Sequence, residues 1–93
     1  MAKLTETSYF RITYLENEVL QAYKKDDFVN DRGWDNLEAG ACIKGFHKNC
    51  GMTGKEFSGV MSSLVKKGWC WTDGKWFGLT PEAIAILKEH EGK

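Results

Sequence analysis

Residues 51–56, Gly51-Met52-Thr53-Gly54-Lys55-Glu56, constrain this chain more than any other stretch. Thr53 and Glu56 have capping-box spacing: the hydroxyl takes the N–H of residue 56, and the carboxylate reaches back to the N–H of residue 53. Phe57, Val60, Met61, Leu64 and Val65 follow at steps of three and four, which puts them on one face of a helix. Gly51 suits the left-handed turn that ends a preceding helix. Two helices joined by a short glycine turn predict a helix-turn-helix, a common way to present a helix to DNA.

The length of 93 residues fits a single domain over 1–93, with 1–13 as a possible N-terminal arm or short strand. No apolar run approaches the roughly 20 residues that cross a bilayer, and the start lacks the apolar core of a signal peptide. A cytoplasmic chain with no membrane partner is therefore expected. Three cysteines (Cys42, Cys50, Cys70) leave one unpaired in any internal scheme, which fits free thiols in a reducing compartment.

The net charge is zero, which opposes strong nonspecific affinity for nucleic acid. Its distribution is uneven. Residues 41–68 carry five lysines (Lys44, Lys48, Lys55, Lys66, Lys67) and His47 against one acid, Glu56, while residues 23–40 are net acidic. The positive excess thus coincides with the predicted helix-turn-helix.

Residues 8–14 allow either a short strand or the first turns of a helix. Thr13 with Glu16 repeats the capping-box spacing, so a helix is predicted from about 14 to 25, with Ile12, Leu15, Val19 and Tyr23 as its stripe. Residues 26–35 read as a loop, with Phe28-Val29 a candidate short strand. Asp35 with Glu38 then predicts a helix over 36–49, with Ala39, Cys42, Ile43, Phe46 and Cys50 on one side. Gly40 and Gly45 weaken it by up to about 1 kcal/mol each relative to alanine. The third helix is predicted over 54–67, ended by Gly68.

Asp73-Gly74 signals a two-residue hairpin turn. A type I′ turn there would pair Thr72 with Lys75, Trp71 with Trp76 and Cys70 with Phe77. Trp69, Trp71 and Trp76 would share one face, and Cys70, Phe77 and Leu79 the other. Thr80-Pro81-Glu82 opens a last helix, with Ile84 and Leu87 inward.

This order resembles the winged helix-turn-helix family, an α+β and mostly helical fold of three helices, a two-stranded wing and a C-terminal helix. Leu64-Val65-Lys66-Lys67-Gly68-Trp69, the hairpin, and Leu79-Thr80-Pro81-Glu82 are similar to the C-terminal half of bacterial regulators of the MarR type, at pattern level over residues 36–87. Around Gly51, the apolar positions of the family signature hold Phe46, Cys50, Met52, Phe57 and Val60. His47 departs from the small residue preferred at its position. The resemblance implies a transcriptional regulator that places helix 54–67 in the major groove. Thr53, Gly54, Lys55, Ser58, Gly59 and Ser62 would face the bases, and Lys44, Lys48, Lys66 and the wing-tip Lys75 would touch phosphates. No arginine or glutamine lies on this face for bidentate base contacts, so weak or shape-dependent binding by a monomer is expected, strengthened in a homodimer.

Other constellations are weaker. Cys42, His47, Cys50 and Cys70 lack the spacing of a zinc knuckle and read as buried thiols, so no metal and no cofactor is expected. No phosphate loop, triad or metalloprotease motif is present, so the chain is not read as an enzyme. The alternative function is a protein-interaction module, an adaptor or inhibitor of a larger complex, docking through Trp69, Trp71 and Trp76 or through the acidic 26–38 region.

Overall fold

A computed structural model describes Leu4 and residues 6–91. The elements run α1 (Glu6–Tyr9), α2 (Tyr14–Lys25), α3 (Asp27–Asn30), β1 (Ala41–Cys42), α4 (His47–Cys50), α5 (Gly54–Lys67), β2 (Cys70–Thr72), β3 (Trp76–Leu79) and α6 (Pro81–Glu91). The class is α+β, with six helices and a three-stranded antiparallel sheet in the order β1-β3-β2 among the described residues.

Both predicted capping boxes form. Thr13 Oγ1 accepts from the Glu16 N–H at 3.2 Å and Glu16 Oε1 from the Thr13 N–H at 2.9 Å. The matching distances for Thr53 and Glu56 are 3.1 and 3.0 Å. The first box starts α2, so residues 8–14 form no strand: α1 is a single turn that ends before Thr13. The stripe of α2 is shifted from expectation. Val19, Leu20 and Tyr23 are buried, whereas Leu15 is exposed and Glu16 faces inward in its place.

The loop predicted over 26–35 contains α3, capped by Asp26 Oδ1 on the Val29 N–H at 3.1 Å. Phe28 and Val29 are therefore helical and not a strand. Val29 is buried and Phe28 projects outward.

The helix expected over 36–49 does not form. Turns occupy 34–38, with Asn36 Oδ1 accepting from the Glu38 N–H at 2.8 Å. Asp35 instead pairs with Lys88 of α6. Ala41 and Cys42 then pair with Phe77 and Trp76 in the sheet, and the Ile43 N–H extends the ladder to the Lys75 carbonyl at 2.9 Å. Gly45, at φ +79, turns the chain into the short α4. Two helix-weakening glycines and a long-range strand partner outweigh the helical periodicity of the apolar residues.

Gly51 ends α4 in the left-handed region, and the Met52 N–H returns to the His47 carbonyl. α5 buries Phe57, Val60, Met61 and Leu64. Val65, expected inward, lies at the border of the exposed face. Gly68 closes α5 at φ +89, with the Trp69 N–H on the Leu64 carbonyl at 2.9 Å.

The hairpin register differs from expectation by two residues: Cys70 faces Leu79, Trp71 faces Gly78 and Thr72 faces Phe77. The turn centres on Gly74-Lys75, closed by the Asp73 N–H on the Trp76 carbonyl at 3.2 Å. Only Gly74 has positive φ, as a II′-like turn requires. Asp73 Oδ1 accepts from the N–H groups of Lys75 and Trp76 and fixes the tip. A two-residue slip preserves the sides of a strand. Ala41, Cys70, Phe77 and Leu79 therefore face the core, and Cys42, Trp71 and Trp76 face out. Thr80 caps α6 through the Ala83 N–H and also donates to the Gly68 carbonyl at 2.6 Å.

The core lies between the sheet and α2, α5 and α6. Its centre is aromatic: Phe46 meets Phe77 edge-on at 5.0 Å between centroids, with Tyr23 and Phe57 beside them. Among the described residues no helix is long and apolar enough to cross a membrane.

Candidate nucleic-acid interface

α5 exposes Gly54, Lys55, Ser58, Gly59, Ser62, Val65 and Lys66 on the arc opposite its buried stripe. Thr53 is exposed at its start, but its hydroxyl already holds the Glu56 N–H. Lys44, Lys48 and Lys75 are also exposed. Among the described residues, none of Lys44, Lys48, Lys55, Lys66 and Lys75 forms a salt bridge. Lys67 is the lysine of this segment that is committed, to Glu16.

The two borders of the exposed arc differ. On one side Gly54, Ser58, Ser62 and Lys66, spaced by four, line a groove of about 610 Å³ with Phe57, Met61 and Val65. Ile43, His47 and Thr72 of the hairpin complete its lining. On the opposite side Lys55 and Gly59 border a shallower hollow with Thr13, Leu15, Glu16, Glu56, Val60 and Ser63. Lys44 stands elsewhere, beside Phe28, Cys42 and Trp76 near the outer face of the sheet. Of the predicted contact residues, Gly54, Ser58, Ser62 and Lys66 share the groove, Lys55 and Gly59 lie on the opposite border, and Lys44 lies apart from both.

The tryptophans also separate. Trp69 is 1% exposed and belongs to the core, contrary to its expected place on an open face. It precedes the paired strand and is drawn under α5 by the helix-ending turn at Gly68. Trp71 and Trp76 are partly open. Trp71 lies against Gly78, where an added Cβ would come within 2.7 Å of the indole Nε1. Trp76 stacks with Phe28 at 5.8 Å, and Trp71, Trp76 and Phe28 line one shallow cavity with Arg32, Glu38 and Gly40.

The three cysteines are free and lie in different settings. Cys42, expected on a buried stripe, is exposed because β1 turns it away from the core. Burial raises Cys50 to about 11 and Cys70 to about 12. Among the described residues no three His, Cys, Asp or Glu side chains converge as metal ligands.

Beyond its expected cap on α2, Glu16 has a second role that the sequence does not reveal. Its side chain is 2% exposed and accepts from Ser63 Oγ at 2.6 Å and from Lys67 Nζ at 3.0 Å. Desolvation pushes its pKa up, but hydrogen bonds from Ser63, the Thr13 backbone and Lys67, together with the Lys67 charge, outweigh it, and the net shift is downward. This network sets how α5 sits on α2 and leaves Ser58 and Ser62, not Ser63, on the open side. No protein-family model, curated protein or solved structure matches the chain.

Proposed function

We propose that this chain is a small winged-helix nucleic-acid-binding protein, a transcriptional regulator that offers α5 to the major groove and the β2–β3 hairpin to the adjacent backbone. One observation carries the reading. A doubly capped helix buries its apolar stripe and turns Lys55, Ser58, Ser62 and Lys66 outward, with Lys48 and Lys75 exposed and without an ion pair among the described residues. The strand order is compatible with it: β1, between the first long helix and the helix pair, joins the hairpin as a third strand and ties it to the segment that leads into α4. With lysine as the only cation on α5 and no arginine or glutamine there, affinity comes from phosphates more than from base edges.

The test is fluorescence anisotropy of a labelled duplex over a salt series. Each phosphate neutralised contributes about −0.9 to the slope of log affinity on log salt. Lys55→Ala with Lys66→Ala flattens the slope by about 1.8 in this reading. An unchanged slope would move the contacts off α5.

A second reading rests on the Phe28, Trp71 and Trp76 cluster. These residues are 63%, 36% and 39% exposed and line one hollow, which fits a protein-docking patch better than isolated surface aromatics do. Trp76→Ala abolishing a protein contact while duplex binding persists would favour it.

A further inference from the structure

We infer that the groove between α5, β2 and the start of α4 is a binding site for a small amphiphile with an anionic head. Its floor is apolar: Phe57 and Met61 are nearly buried, and Ile43 and Val65 stand at its sides. Its volume of about 610 Å³ lies within the range of small-molecule sites, roughly 300–1,000 Å³. From Gly54 to Lys66 it runs about 18 Å along the helix, at about 1.5 Å per residue.

The polar lining selects the charge of the ligand. Among the described residues no carboxylate lines the groove, although the chain holds as many acids as lysines and arginines. Lys66 and His47 stand at its border instead. The hydroxyls divide by availability. Thr72 Oγ1 is engaged by the Trp76 carbonyl and the Gly74 N–H. Ser58 and Ser62 have no hydrogen-bond partner among the described residues, and Ser62 stands one turn before Lys66 on the same edge. An anionic head at this end gains a charge-assisted contact from Lys66 and a hydroxyl donor from Ser62, while its tail lies against Met61, Phe57 and Ile43. A cationic head would meet Lys66 with no counter-charge. An occupant here covers Ser58, Ser62 and Lys66, so it competes with a duplex for the same edge of α5. That consequence rests on the nucleic-acid reading; the binding site itself does not.

The test is an ¹⁵N NMR titration of the full chain, without nucleic acid, using sodium decanoate below its micellar concentration. Decyltrimethylammonium serves as the same tail with the opposite charge. Decanoate saturably shifts the amides of Ser58, Ser62, Val65 and Thr72, and the cation binds at least about tenfold more weakly. Ser62→Trp fills the groove and removes the decanoate shifts, and Lys66→Gln lowers the affinity about threefold or more. Both side chains are exposed, and retained amide dispersion verifies the fold of each variant. Unsaturable shifts, equal affinity for the two heads, or shifts centred on Phe28, Trp71 and Trp76 would overturn the inference.

Discussion

Ser63 Oγ donates to Glu16 Oε2 at 2.6 Å and so joins α5 to α2 across 47 positions of sequence. Lys67, one turn later, completes the contact at 2.9 Å from the same oxygen. The apolar stripe of α5 decides which residues face outward, and this charged carboxylate fastens that helix to α2.

Glu16→Ala is therefore expected to cost about 2 kcal/mol, the scale of buried hydrogen bonds to a charged group. Lys67→Ala costs less, because its side chain is 41% exposed and its charge is screened. Glu16 has a folded-state pKa below its ordinary 4.5, so its contribution is present above that pH and is lost as pH falls through the folded value. Urea melts of the wild type and Glu16→Ala below pH 5 test this: their stabilities converge as the pH drops.

Trp71 and Gly78 form a second pair, across the hairpin. Gly78 has ordinary φ, so Gly78→Ala costs stability only through the clash with the indole. A loss of about 1–2 kcal/mol is expected, within the range for an overpacked contact. In a double-mutant cycle, Trp71→Ala should remove most of that penalty. Additive losses would show that the glycine matters for another reason.

Thiol reactivity reports the sheet register. With β1 in place, Cys42 is exposed and reacts first with an aromatic disulfide reagent. Cys50, raised to about 11, reacts slowly. Cys70, buried and raised to about 12, reacts only on unfolding. Three equally slow thiols would restore the helix that the sequence alone suggests for residues 36–49.

The features legible in the sequence are those encoded locally. The Thr13–Glu16 and Thr53–Glu56 caps, Gly51, Gly68 and Thr80-Pro81 each fix a helix end by contacts within a few residues, and each element end follows. β1 is invisible locally, because the partners of Ala41 and Cys42 are Phe77 and Trp76. The hairpin register is two residues off because a glycine turn fits I′ and II′ geometries alike, and the choice falls to packing across the strands. Alternation puts Trp69 and Trp71 on the same side, yet distance from the end of α5 decides that one is core and the other surface. The inward turn of Glu16 escapes a hydropathy pattern altogether, since its partners lie on another helix. For the candidate interface, the outward arc of α5 follows from the apolar stripe, whereas the groove beside it depends on where the hairpin and α4 come to rest.

Whether the outward arc of α5 meets nucleic acid is decided by an ¹⁵N NMR titration of the chain with a short duplex at low salt. The largest amide shifts are expected at Thr53, Lys55, Ser58, Ser62 and Lys66, with a smaller set at Lys75, and all of them fade as salt is added. Shifts confined to Phe28, Trp71 and Trp76, or an unperturbed α5 at low salt, would contradict the nucleic-acid reading.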